Sequence, residues 1–221
     1  MNQPSIHIFG ILIQEPICTI TDFIVAAICF FYYIKLTKSS NWSKNRLWRY
    51  YFFFIMSATF FGGLLGHAFL YCGPFAVMKL PGWLSGMFAM SVLSQISIDL
   101  FTKENKKQHF YFSALNVFIF VVMFGLELHN LVFNYVQIHS AFLLLFLIFP
   151  MQAWLIKQNN SFQGKNILYA LTIAGVGSFF FTSKIGLNPW FNHIDISHVC
   201  LGISMYIISK AAFYETETQL L

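Results

Sequence analysis

Charged side chains are scarce in this sequence of 221 residues, because Asp, Glu, Lys and Arg together make up only 10% of it. A soluble domain carries about 25% of such residues, since its surface must be hydrated. The composition therefore excludes a water-soluble globule of this size. Hydrophobic residues make up 57% of the chain and are spread along its whole length. Lipid is the solvent that fits this composition.

The sequence also lacks the cysteine spacing of a metal-binding or redox motif. Cys18, Cys29, Cys72 and Cys200 lie inside or at the ends of apolar segments, and no CxxC pair occurs among them. We interpret them as small apolar residues of a buried interior, with a Cys72–Cys200 disulfide as the alternative. Neither a basic N-terminal region nor a small-residue cleavage site accompanies the first apolar run, so we expect no cleaved signal peptide.

Seven apolar segments are each long enough to cross a bilayer, which requires about 20 predominantly apolar residues. No internal repeat, linker or low-complexity stretch interrupts them. We therefore predict an all-α membrane protein with one seven-transmembrane-helix domain over residues 1–221. The predicted spans cover residues 8–35, 48–72, 82–101, 109–131, 134–156, 166–185 and 192–213.

Basic residues are concentrated on one side of these spans. The other side has only Lys79 and Lys184. Because basic residues stay in the cytoplasm, the split predicts an N-terminus outside the cell, a C-terminus in the cytoplasm and an odd number of spans. Topology thus explains the net charge of +5, and we expect no nucleic-acid partner. The cytoplasmic set is Lys35, Lys38, Lys44, Arg46, Arg49, Lys103, Lys106, Lys107, Lys157, Lys165 and Lys210.

The third segment is polar on one side, and we expect that side to face other helices, since polar groups are costly in lipid. Asp99 precedes Lys103 by four residues, the spacing of an ion pair on a helix. For His129 and His139, we expect hydrogen bonding between helices or placement at the membrane interface. The polar residues of the segment are Ser85, Ser91, Ser94, Gln95, Ser97 and Asp99.

Ionisable residues converge on the outer half of the predicted bundle. Each is costly at membrane depth unless it is paired or hydrated, so each marks a possible functional position. Glu15, Thr19 and Asp22 have the spacing of one helix face, and so do Asp195, His198 and Gly202. The outer ionisable residues are Glu15, Asp22, His67, Glu127, His129, His139, His193, Asp195 and His198.

Histidines and carboxylates from different helices form the donor set of a catalytic zinc site. Such a site takes three protein ligands and leaves a fourth position for water, which can then attack an amide or ester carbonyl. A remaining carboxylate could act as general base or orient a ligand histidine. The candidate metal ligands are His67 and His198 with either His193 or Asp195, and the candidate catalytic residues are Asp22 and Glu15.

Two other interpretations of these residues stay open. His67, Asp195 and His198 could form a buried network that holds spans two and seven together, as in a seven-helix receptor or sensor without catalysis. Glu15 and Asp22 could instead line a proton or cation path.

The spans and histidines together resemble a superfamily of seven-helix membrane hydrolases that includes alkaline ceramidases and the progestin and adiponectin receptors. Its members are similar in having a zinc-ligand histidine near the end of span two and a histidine pair at the start of span seven. The resemblance implies that His67, His193 and His198 are zinc ligands and that an amide or ester bond of a membrane lipid is hydrolysed. The stretches 15–22 and 192–198 also look like those of uncharacterised bacterial seven-helix proteins, which implies a bacterial plasma membrane.

The sequence departs from the superfamily at several positions. Gly63 stands four residues before His67, where the superfamily has serine, and Asp195 is an addition to the span-seven stretch. The aspartate that the superfamily carries near spans two and three has no counterpart on the outer side. The resemblance therefore leaves Asp22 or Glu15 to replace that carboxylate.

Overall fold

The structure, a computed structural model, describes residues 4–38 and 45–217, with side chains up to residue 214. Seven helices in these two ranges are long and apolar enough to cross a membrane, which confirms the predicted number. A short hairpin, β1 (Ile6–Ile8) and β2 (Ile11–Ile13), precedes them. The helices are α1 (Pro16–Thr37), α2 (Arg46–Ala68), α3 (Phe75–Phe101), α4 (Lys106–Asn130), α5 (Asn134–Asn159), α6 (Phe162–Ser183) and α7 (His193–Glu217).

The predicted start of the first span was wrong, because α1 begins at Pro16 and not at residue 8. The isoleucines before it alternate along two strands and do not follow a helical period. Phe9 and Gly10, with φ angles of 51° and 82°, form the two-residue turn, and positive φ at both positions is what a type I′ turn requires. Pro16 then suits the first position of a helix, where its missing N–H is not needed. Glu15 consequently precedes α1 and does not lie within it.

The third helix also begins elsewhere than predicted, at Phe75 and not at residue 82. Pro81 lies inside the helix, where neighbouring helices and hydroxyl side chains can satisfy the freed backbone groups. The Ser85 hydroxyl donates to the Pro81 carbonyl at 2.7 Å. The early start matters because it brings Lys79 onto the helix.

Six helices form a ring in the order α1, α2, α3, α5, α6 and α7, and α4 packs outside it against α3 and α5. The apolar core fills the centre of this ring and the end at which α1 ends and α2 begins. That end fixes the positions of the helices, so polar residues can gather at the opposite end. The core includes the fully buried side chains of Phe52, Leu93, Ile148, Ile167 and Ile208.

The polar side of α3 faces its neighbours, as predicted. Ser94 and Ser97 are fully buried, and the Gln95 amide donates to the Ser113 hydroxyl of α4 at 2.9 Å. The predicted Asp99–Lys103 pair was wrong, because α3 ends at Phe101 and helical spacing no longer applies beyond it. Asp99 instead pairs with the His109 Nε2 of α4 at 2.9 Å.

The alternative of a Cys72–Cys200 disulfide was also wrong, since both cysteines are unbonded. Cys72 is exposed in the connection between α2 and α3. Cys200 lies on α7 and faces α6. A Cβ on Gly177 of α6 would be 2.9 Å from the Cβ atom of Cys200. Small residues therefore let α6 and α7 approach closely.

We predict that Gly177→Val destabilises the bundle, whereas Gly175→Val does not. A Cβ at position 177 would collide with α7, but a Cβ at position 175 meets no atom within 4 Å. Overpacking of this kind costs about 1–3 kcal/mol. Thermal unfolding in detergent measures both variants, and equal midpoints for the two would contradict the close packing of α6 on α7.

Candidate metal site

The face of α1 that carries Thr19 and Asp22 lies against α2, whereas Glu15, which was predicted to share this face, precedes the helix. The Thr19 hydroxyl donates to the Gly63 carbonyl at 3.4 Å. Asp22 lies so near α2 that a Cβ on Gly62 would be 3.1 Å from its Oδ2 atom, and one on Gly63 would be 3.0 Å from its Cβ. The two glycines thus allow a buried carboxylate to reach the end of α2.

His67 lies in the last turns of α2, where residues Gly62–Ala68 form a π-helix. Such segments insert an extra residue into a helix and occur often at functional sites. The His67 Nδ1 atom contacts Glu15 Oε2 at 2.5 Å, and its Nε2 atom is 3.8 Å from Asp22 Oδ2. Glu15 therefore fixes the orientation of the ring and leaves Nε2 turned towards Asp22.

His198, one turn into α7, is held in the same manner. Its Nδ1 atom is 2.9 Å from the Thr21 hydroxyl, and its Nε2 atom is 3.3 Å from Asp22 Oδ1. The Thr21 hydroxyl also lies 3.3 Å from Asp195 Oδ1. Because a hydroxyl both donates and accepts, Thr21 can accept from His198 Nδ1–H and donate to Asp195.

Asp195 caps the start of α7. Its Oδ2 atom accepts from the Asn192 backbone N–H at 2.7 Å, and the Asn192 side-chain oxygen accepts from the Ile194 N–H at 2.8 Å. This reciprocal pair is a capping box, with Asn192 as the N-cap and Asp195 three residues later. The Cys18 thiol also hydrogen-bonds Asp195. Asp195 is fully buried and positions other groups through both of its oxygens.

The three side chains that meet are Asp22, His67 and His198, which together form the cluster. One candidate ligand atom from each lies within 4.8 Å of the other two. Two imidazole nitrogens and a carboxylate oxygen are a donor set known for catalytic zinc. Histidine ligands of zinc characteristically donate their other ring N–H to a carboxylate, a carbonyl or water. His67 has such a partner in the Glu15 carboxylate, and His198 has the Thr21 hydroxyl in the corresponding position. The residues therefore fit zinc.

A second group, Glu15, Cys18 and His67, meets the same distance criterion. In that group, however, Glu15 already contacts the His67 Nδ1 atom, and the Cys18 thiol is engaged with Asp195. The group around Asp22 is therefore the better candidate for a metal.

The structure does not bring His193 into either group of candidate ligands among the described residues. It is the first residue of α7, and its ring lies 6.0 Å from that of Phe181. His139 also lies apart from the site, because its Nε2 atom is 3.2 Å from the Ser91 hydroxyl of α3. This contact confirms a hydrogen bond between helices, and His129 is exposed. Ionisable residues of α1, α2 and α7 thus come together as predicted, but those of α4 and α5 do not.

Sequence reasoning missed Thr21 and Lys79. Thr21 gave no signal, since a hydroxyl in an apolar segment commonly bonds the preceding turn of its own helix. Lys79 did give one, because it is one of two basic residues on a side that otherwise lacks them. Its position on α3 places it beside the site.

Two spaces adjoin the cluster and meet at His198. A cavity of about 320 Å³ is lined by Asp22, His67, His198 and Lys79, together with aromatic side chains. An apolar groove of about 340 Å³ runs between α1 and α7, from Thr21 and His198 towards Tyr206. The cluster therefore has both a partly polar and an apolar space beside it.

Glu15 lies outside the helices of membrane-spanning length, and its charge state reflects His67. Burial raises the pKa of the Glu15 carboxyl, but the hydrogen bond and charge of His67 and the charge of Lys79 hold it below its ordinary value. A carboxylate whose pKa is lowered on folding stabilises the folded state above its unfolded pKa, and this stabilisation is lost as the pH falls through the folded value.

We predict that Glu15→Gln lowers the thermal stability at pH 7 and that its difference from the wild type shrinks as the pH falls below the ordinary pKa of 4.5. The reason is that protonated Glu15 loses the charge that favours its contact with His67. Unfolding midpoints between about pH 3 and pH 8 measure the effect. Glu104→Gln, at an exposed position, is the control. A difference that stays constant with pH would contradict the prediction.

No curated protein matches the chain, but a family model does. The profile of a family of unknown function, DUF6962, matches residues 17–215. The matched part contains Asp22, His67 and His198, and it ends near the end of α7. The chain therefore belongs to the DUF6962 family.

Proposed function

We propose that this protein is an integral membrane hydrolase in which Asp22, His67 and His198 bind zinc and which cleaves an amide or ester bond of a membrane lipid. The observation that carries the proposal is the arrangement of the two imidazoles. Both turn Nε2 towards the Asp22 carboxylate, while Glu15 and Thr21 hold the opposite nitrogens. A set of outer partners of this kind is characteristic of metal ligands.

Each residue of the proposed site has a separate role. When bound, zinc polarises a carbonyl group and acidifies water. His67 and His198 act as neutral ligands, and Glu15 keeps the His67 ring in its tautomer and raises its basicity. Thr21 does the same for His198 and is supported by Asp195. This assignment makes Asp22 a ligand and Glu15 an orienting partner, so that neither Asp195 nor His193 binds the metal.

The positions of the three side chains suit a shared ion. His67 Nε2 and His198 Nε2 lie 3.8 Å and 3.3 Å from the Asp22 oxygens, and one ligand atom from each residue lies near enough to the other two for a single cation to contact all three. The alternative is a seven-helix receptor or sensor in which the cluster has no metal and no catalytic role.

The proposed orientation follows from the basic residues. The ends of α1, α3 and α5 adjoin most of them, so these ends are proposed to face the cytoplasm, and Lys44 lies outside the described residues. The cluster, near the start of α1 and α7, then belongs to the outer leaflet. The bacterial plasma membrane is the proposed location, because of the resemblance to bacterial seven-helix proteins.

A lipid substrate is supported by the groove between α1 and α7. Its walls are apolar, and Ile24, Ile203 and Tyr206 are about half exposed on the surface of the bundle. From His198 to Tyr206 the groove follows α7 for about 12 Å, at about 1.5 Å per residue. An acyl chain in this groove would have its polar end at the cluster, and it could enter sideways from the bilayer.

We predict about one zinc per chain in the purified wild type, because the site has the three protein ligands of a catalytic zinc. His67→Ala, His198→Ala and Asp22→Ala should each lose it, since each removes one ligand. His193→Ala should keep it and serves as the matched control. Elemental analysis of folded, detergent-purified protein measures the content. A folded wild type without metal, even after zinc is supplied, would favour the receptor or sensor.

We predict that Thr21→Val weakens zinc binding about 10–100-fold, the usual effect of removing a partner of a metal ligand. Thr21→Ser keeps the hydroxyl and should retain the affinity. Competition with a zinc chelator measures both variants, and release of fatty acid from amide and ester lipids in nanodiscs is recorded beside it. Equal affinities for the valine and serine variants would show that Thr21 does not support His198.

A further inference from the structure

Lys79 lines the same cavity as Asp22, His67 and His198, but it has no part in the proposed zinc binding. It lies in the second turn of α3 and is partly buried. Its stem packs against α2, since a Cβ on Gly66 would be 3.5 Å from Lys79 Cγ. Its ammonium nitrogen is 5.1 Å from the centre of the Phe75 ring. The charged end is thus held within the cavity by apolar neighbours.

The Lys79 ammonium has no hydrogen bond and no ion pair within 4.0 Å in the described ranges of the chain. The nearby carboxylates are directed elsewhere, Glu15 towards His67 and Asp22 towards both histidines. The other walls of the cavity are mostly apolar and include Trp83 and Phe133, which are in contact at 5.2 Å between ring centres. The charges of Glu15 and Asp22 partly offset the cost of an ammonium in these surroundings, but neither carboxylate contacts it directly. An anion that joined it would therefore gain a charge-assisted contact.

We infer that Lys79 binds an anionic group, a phosphate or carboxylate, of the molecule that enters the cavity, which makes anionic lipids the substrates of this site. This inference rests on the proposed hydrolase function. A lipid would then place its acyl chain in the groove between α1 and α7, its scissile bond at the cluster and its anionic group at Lys79. His198 joins the three positions, because it lines both the groove and the cavity.

The charges around the site support a role for Lys79 in the recognition of an anionic group. Glu15, Asp22 and Asp195 place three carboxylates around the site, and these would repel an anionic group. Lys79 supplies the opposite charge at the cavity wall. The other basic residue of this side, Lys184, is exposed after α6 and lines neither the cavity nor the groove, which makes it a matched control.

Binding of a matched pair of soluble lipids tests the inference without any catalysis. Dihexanoyl phosphatidic acid carries the anionic group, dihexanoylglycerol lacks it, and inorganic phosphate lacks the acyl chains. Fluorescence of Trp83 reports binding in the cavity, and Trp83→Phe identifies its share of the signal. We expect the wild type to bind the phosphatidic acid at least about tenfold more tightly than dihexanoylglycerol, as one charge-assisted contact allows.

The variants assign that preference to Lys79. Lys79→Met should abolish it, while Lys79→Arg and Lys184→Met should keep it. Equal binding of both lipids to the wild type, or an undiminished preference in a folded Lys79→Met protein, would overturn the inference. Inorganic phosphate that binds as tightly as the phosphatidic acid would assign the site to free phosphate and overturn the lipid as its source.

Zinc content separates this inference from the proposed function. Lys79→Met should retain the zinc of the wild type, because Lys79 is not a ligand, and loss of zinc in this variant would refute the assignment. A wild type that holds no zinc but prefers the phosphatidic acid through Lys79 would refute the hydrolase and support the anion site. With zinc present, Lys79→Met should lose the wild-type preference for hydrolysing anionic lipids over neutral ones.

Discussion

The close approach of α1 to the glycines near the end of α2 is the contact on which the site depends. Because Gly62 and Gly63 have no Cβ, the backbone of α2 leaves room for the Asp22 carboxylate. A Cβ at either position would lie closer to Asp22 than van der Waals contact allows. A side chain at either position would therefore displace Asp22 or shift α1. Packing through small residues is common between membrane helices. Here it also brings the Asp22 carboxylate close to the His67 imidazole.

A low dielectric explains why both histidines of the site have a second polar contact. A buried polar group without a partner is costly, and the other ring nitrogen contacts Glu15 in His67 and Thr21 in His198. Asp195 joins Thr21 to the cap of α7. The beginning of that helix and the orientation of its histidine are therefore determined together, by the same short segment.

The sequence could predict the seven helices because lipid imposes a strict minimum length on an apolar span. It could not predict the hairpin before Pro16, since isoleucines on two short strands look as apolar as a helix. Spacing along α1 correctly placed Thr19 and Asp22 on one face, whereas Glu15 lies before the helix, where helical spacing does not apply. The sequence predicted His193 or Asp195 beside the two histidines, whereas the structure places Asp22 there, because the grouping depends on the rotation and separation of α1, α2 and α7. Those are tertiary properties, set by contacts such as the one at Gly63, that spacing within a single helix does not contain.

The π-helical end of α2 makes the direction of the His67 ring depend on the number of residues in each turn of that segment. A π-turn holds one residue more than an α-turn, and one residue corresponds to about 100° of rotation around an α-helix. If Gly62–Ala68 took the ordinary helical pitch, the His67 ring would point away from Glu15 and Asp22. The position of the His67 ring thus depends on the π-helical form of this segment, and the contact of its Nδ1 atom with Glu15 favours that form. Local backbone geometry and polar chemistry at this end of the bundle consequently depend on each other.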